Sequence, residues 1–150
     1  MLHIKPEIGL GDLKFGSTKS AITALVGIPK DKEIIKEEDV EEVEVWHYPD
    51  YGYSLFFETG QLPRLTSIEV YHEDTVLFDE KVFTLSEEEI ISLLKENGYE
   101  ELEIEDHEWG ERRISCDEIS MDFYFQENEL VTINFGIYLD FNDTLGFSLN

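Results

Sequence analysis

Tyr53-Ser54-Leu55-Phe56-Phe57-Glu58 alternates two rows of side chains, Tyr53, Leu55 and Phe57 in one and Ser54, Phe56 and Glu58 in the other. A two-residue period with one apolar row is the pattern of a strand that buries a single face. Sixty-eight residues later, Met121-Asp122-Phe123-Tyr124-Phe125-Gln126 repeats the phase, with Met121, Phe123 and Phe125 opposed to Asp122, Tyr124 and Gln126. The apolar rows need a core to cover them. The mixed rows therefore define a second, solvent-facing side.

The elements on either side of these strands follow from turn and capping residues. Thr59-Gly60-Gln61 and Glu127-Asn128-Glu129 read as turns, giving hairpins into residues 64–71 and 130–138, while residues 43–48 and 112–116 read as the preceding strands. Farther upstream, Ser17 or Thr18 caps a helix with Ile22, Leu25 and Val26 on its apolar face, stopped by Gly27-Ile28-Pro29. Ser86-Glu87-Glu88-Glu89 is a capping box before Ile90, Leu93 and Leu94, and Gly98 ends that helix. The same shift of 68 residues superposes Phe15 on Phe83, Thr18 on Ser86, Ile22 on Ile90 and Leu25 on Leu93. A three-residue slip at Pro63-Arg64-Leu65 is all the register needs. The expectation is an α+β fold of two tandem helix-plus-antiparallel-sheet repeats, residues 1–78 and 79–150, forming one compact unit. In it the helices cover one face of the sheet and the other face stays open.

Leu13-Lys14-Phe15-Gly16-Ser17-Thr18, Leu25-Val26-Gly27-Ile28-Pro29 and Trp46-His47-Tyr48 together resemble the SmpA/OmlA type of small outer-membrane assembly lipoproteins. Two such units in tandem look like the β-lactamase inhibitory protein fold, whose long sheet grips an enzyme on its open face. The motifs cover Leu13 to about Val70. The second half follows only through the internal repeat, with Ile114 and Cys116 where Trp46 and Tyr48 stand. No basic and apolar leader, lipidated cysteine or disulfide pair is expected, so the resemblance implies the fold and not the membrane-assembly role.

Charge narrows the classes of partner. With 35 Asp and Glu against 11 Lys and Arg, the formal net charge of the 150 residues is −24. A field of that sign repels nucleic acid and anionic membranes and attracts cationic proteins. Hydrophobic residues at 41% and aromatics at 13% are too many for a disordered chain. One cysteine, Cys116, excludes an intrachain disulfide, and a cytoplasmic setting is expected.

Catalytic and metal motifs fail on their chemistry. Gly11-Asp12-Leu13-Lys14-Phe15-Gly16 has phosphate-loop glycine spacing, but Ser17 stands where the lysine is required. Gly9 and Gly11 lack the strand-then-helix setting of a dinucleotide site. His3, His47, His72 and His107 have no paired ligand spacing, and His47 and His72 read as strand-end residues. Cys116 reads as a strand residue whose neighbours Asp117 and Glu118 disfavour a thiolate. Residues 140–146 supply oxygen ligands, but the glycine is misplaced for an EF-hand and the closing glutamate is missing. The expectation is no catalytic residue, no cofactor and no metal.

What remains is a surface. Phe56, Tyr71, Tyr124 and Tyr138 emerge on the outer side among Ser54, Glu58, Glu69, Asp122 and Gln126, while acidic runs fall at residues 37–44 and 100–111, the second holding Trp109. The acidic runs are either solvated edges or partner contacts, and the rings either bind a partner or are covered by another segment or subunit. The leading expectation is a non-enzymatic acidic binding module, an immunity or inhibitor protein that caps a basic enzyme or toxin. Its partner residues would be Phe56, Glu58, Glu69, Tyr71, Trp109, Asp122 and Tyr124. The alternatives are a small-ligand or enzymatic module in a cleft between the repeats, with Tyr48, His47 and Asp50 as its reactive cluster, and a structural domain. The identity of the partner and the oligomeric state are left open.

Overall fold

Two antiparallel meanders of four strands join edge to edge into one sheet. In the computed structural model, which describes residues 2–36, 42–58, 62–107 and 110–137, the chain begins with β1 (Leu2–Lys5), β2 (Gly9–Leu10), β3 (Leu13–Lys14) and helix α1 (Lys19–Val26). It then lays down β4 (Asp31–Ile35), β5 (Val43–Tyr48), β6 (Tyr53–Glu58) and β7 (Arg64–Val70). A small hairpin, β8 (Thr75–Leu77) and β9 (Glu80–Lys81), leads through a 3-10 turn at Val82–Thr84 to helix α2 (Glu87–Glu96). The remaining strands are β10 (Glu103–Asp106), β11 (Glu111–Cys116), β12 (Met121–Gln126) and β13 (Glu129–Gly136). The large sheet runs β10-β11-β12-β13-β7-β6-β5-β4, and a second sheet runs β3-β2-β1-β8-β9.

The expectation of an α+β chain made of tandem helix-plus-sheet repeats is thereby corrected. Among the described residues, thirteen strands in an eight-stranded and a five-stranded sheet carry the fold, and two α-helices supply only 8 and 10 residues. The physical reason lies in strand length and pairing. The five-stranded sheet is made of strands of two to four residues, too short to show an alternation. It closes through a parallel pairing of β1 with β8, Leu2 opposite Thr75, that no local pattern announces. The boundary drawn at residue 78 falls inside the β8–β9 hairpin. Two further strands, β4 and β10, are exposed along their whole length; no strand is expected from the sequence at residues 31–35, and residues 103–106 fall in the acidic run read as a solvated edge or a partner contact. Charge on both outermost strands protects the sheet from pairing with other edges.

Local chemistry places each element. Thr18 caps α1 by accepting from the Ala21 N–H, and Ser86 and Glu89 form a reciprocal capping box on α2. The β5–β6 turn needs Gly52, which sits at φ +78° with His72 so close that an added Cβ would lie 2.6 Å from the His72 Cβ. The two meanders meet where Gly136 of β13 opposes Ser67 of β7, and there a Cβ would fall 2.4 Å from the Thr66 carbonyl oxygen. Ile137 N–H donates to that same carbonyl, completing the junction.

One face of the large sheet carries the core. Trp46, Leu55, Phe57, Ile68, Ile133, Phe135, Phe123 and Ile114 join Ile22 of α1, Ile90 and Leu94 of α2, and Leu10, Leu13 and Leu77 of the small sheet in one buried cluster. Phe15 meets Phe135 edge to face at 5.6 Å, and Trp46 lies 4.8 Å from Phe57. Lys19 of α1 pairs with Glu44 of β5 at 2.8 Å, which holds the Glu44 carboxyl below its usual range. Arg112 of β11 pairs with Glu87 of α2 at 2.7 Å, at an angle too oblique for a hydrogen bond. Leu25, expected on the buried side of α1, is instead exposed.

Candidate functional site on the outer sheet face

The registers of the large sheet bring one residue from each strand into a single cross-strand row. Reading across from β4 to β10, Asp31 opposes His47, His47 opposes Ser54, Ser54 opposes Glu69, and Glu69 opposes Asn134. Asn134 then opposes Asp122, Asp122 opposes Ser115, and Ser115 opposes Glu103. All eight side chains are polar and all lie on the face away from the core. At the usual strand spacing the row is about 34 Å long.

Two pairs of its members, His47 with Ser54 and Ser115 with Asp122, are bonded to one another, and residues beside the row add further bonds. His47 Nδ1 lies 2.8 Å from Ser54 Oγ and Nε2 lies 2.8 Å from Glu33 Oε1, so an imidazole protonated at Nε2 donates to Glu33 and accepts from the Ser54 hydroxyl. Ser67 donates to Asn134 Oδ1 at 3.0 Å, and Ser115 donates to Asp122 Oδ1 at 2.6 Å. Arg113 donates to Glu105 and lies in the field of Asp122 and close to the Tyr124 hydroxyl.

Glu69 stands near the centre and is different in kind. Among the described residues no donor reaches its carboxylate, and burial between Ser54 and Asn134 pushes its carboxyl above the usual range, against a smaller opposing pull from His47. Such a carboxylate is relieved by an incoming cation. The acids Glu33, Glu58, Glu105 and Glu111 extend the negative field on the same face.

Of the residues expected to contact a partner, Phe56, Glu58, Glu69, Asp122 and Tyr124 share this face, and Tyr71 continues it just past β7. Phe56 lies on one flank of the row and Tyr71 and Tyr124 on the other, each partly exposed. Trp109, Tyr138 and residues 140–146 lie outside the described residues. The expected cluster of Tyr48, His47 and Asp50 is not assembled: Tyr48 points to the core side and donates to the Gly27 carbonyl at 2.9 Å, while His47 points to the outer row. Burial pushes the Tyr48 hydroxyl up to about 12.

Sequence reading missed His47, Asn134 and Ser115 as members of the row, and Glu33 and Arg113 as the charged groups beside it. His47 was read as a strand-end residue because β4, which supplies Glu33, carried no strand signal. The Glu33–His47–Ser54 chain has the connectivity of an acid–histidine–serine relay, but Ser54 is only 3% exposed and lies in a strand paired on both sides. The surrounding backbone amides are engaged in the ladder rather than aimed at an oxyanion. Cys116 is buried, and desolvation with nearby Glu118 and Asp117 raises its thiol.

No protein-family model, no curated protein and no solved structure matches the chain. The fold and face therefore define only a class, a mainly-β protein that presents an eight-stranded sheet with a polar outer row.

Proposed function

We propose that the chain is a non-catalytic binding protein of the immunity or inhibitor kind, which docks a basic enzyme or toxin on the outer face of its large sheet. The observation that carries this reading is the row of eight polar residues with Glu69, half-buried and without a donor among the described residues, near its middle. A lysine or arginine from the partner would pair with Glu69, and Phe56, Tyr71 and Tyr124 would supply apolar anchors around it. A net charge of −24 would steer the encounter.

The test is affinity capture from an extract of the source cells at low and at high salt, using the wild-type chain and the Phe56→Ala/Tyr124→Ala variant. The expected result is a basic protein held at low salt, released at high salt and lost from the variant. An association rate with the captured protein that is indifferent to salt would refute the reading.

A further inference from the structure

A second surface, at the end of the large sheet where β5 turns into β6, is apolar rather than acidic. Leu25, Ile28 and Tyr51 are 53%, 80% and 50% exposed there. The Tyr51 ring is fixed by stacking on Tyr48 at 6.1 Å and on Tyr53 at 5.8 Å, so it is presented with little freedom left to lose. Two adjoining hollows of about 340 and 450 Å³ share Val26, Asp50 and Tyr51, and the larger is also walled by Ile28, Lys30 and Tyr48. Contiguous exposed apolar side chains with a thin polar rim are the composition of an interface core.

We propose that this patch is the interface of a two-fold dimer of the chain, with Ile28 of each copy seated in the other copy's larger hollow and Lys30 of each facing Asp50 of the other. Self-complementarity is what selects a second copy as the occupant. The same small area holds a projecting side chain and a hollow able to receive it, and a cation and an anion in one wall. A two-fold axis satisfies both pairs twice, which is the condition for an isologous contact. The outer face offers a basic partner a mostly acidic field, whereas this patch sets the cation Lys30 against Asp50 among mainly apolar side chains.

The dimer responds to salt in the opposite sense to binding at the outer face. Two copies of −24 repel one another, so screening strengthens their association, whereas it weakens capture of a basic partner. This makes the two readings separable, and neither depends on the other.

Sedimentation of the full chain over a range of concentrations, at low and high salt, is the test. The expected result is a reversible dimer that tightens with salt. Ile28→Asp, at an exposed position, should weaken it at least about tenfold while leaving the circular dichroism spectrum unchanged. Lys30→Asp alone should weaken the dimer and Lys30→Asp/Asp50→Lys should restore it, whereas Lys30→Asp/Glu100→Lys, which restores the net charge away from the patch, should not. Phe56→Ala/Tyr124→Ala should dimerise as wild type. A chain that stays monomeric at both salts, a dimer indifferent to Ile28→Asp, or a double charge swap that fails to rescue would each overturn the proposal.

Discussion

Phe123 and Tyr124 are neighbours on β12 that point to opposite faces, so replacing each by alanine compares the core side of the sheet with its outer side at one place. The Phe123 ring is completely buried in the main cluster. Removing it loses the transfer free energy of the ring and leaves a cavity that a continuous sheet cannot collapse to fill, a cost of about 3–5 kcal/mol. Against a typical total of about 5–15 kcal/mol this is a large share of the stability. With a urea dependence of about 2 kcal/mol per molar, the unfolding midpoint should fall by about 2 M. The Tyr124 ring is partly exposed, and its hydroxyl lies near the Arg113 guanidinium, which keeps Glu105 when the tyrosine is gone. Its replacement should cost about 1 kcal/mol, the worth of a little packing and a solvent-accessible polar contact. Urea unfolding followed by far-ultraviolet circular dichroism measures both. In the capture assay the order should invert, with Tyr124→Ala losing the partner and Phe123→Ala keeping it at temperatures where it is folded. If Tyr124→Ala costs as much stability as Phe123→Ala, or Phe123→Ala costs less than about 1 kcal/mol, the assignment of the two faces is wrong.

Further predictions concern titration and backbone fit. Because burial raises the Glu69 carboxyl in the folded chain, this group holds its proton more tightly folded than unfolded, and its unfavourable contribution grows as pH rises from the ordinary carboxylate range. Glu69→Gln should therefore be more stable relative to wild type at pH 7 than at pH 4, and a difference that is flat or reversed would contradict it. Tyr48, raised to about 12, and Tyr53, also raised by burial, should make the fold lose stability as pH climbs from about 10 towards 12. Absorbance at 295 nm checks this, since all seven tyrosines ionising together near pH 10 in a chain that stays folded would exclude it. Gly136→Ala pushes a methyl group against the Thr66 carbonyl at the joint between β13 and β7 and should cost about 1–3 kcal/mol. Ser86→Ala removes one half of the α2 capping box and should cost about 0.5–2 kcal/mol by urea titration, with no effect on binding at the outer face.

The amino-acid sequence alone determined the phase of the interior strands. The alternations in Tyr53–Glu58 and Met121–Gln126 place Leu55, Phe57, Phe123 and Phe125 inward and Phe56, Asp122 and Tyr124 outward, because a period of two is a local property of the chain. The capping residues Thr18, Ser86 and Glu89 were legible for the same reason, since each satisfies backbone groups within three or four positions of itself. The class of fold was not legible. Tertiary pairing decided it, by adding charged β4 and β10 at the edges and by closing a sheet of very short strands through the distant contact of β1 with β8. The polar row was equally hidden, because its eight members are scattered from Asp31 to Asn134 and become neighbours only when every register across the sheet is set. Periodicity records which way a side chain points from its own strand. What stands opposite it depends on backbone hydrogen bonds between segments far apart in sequence, and those only the folded chain can choose.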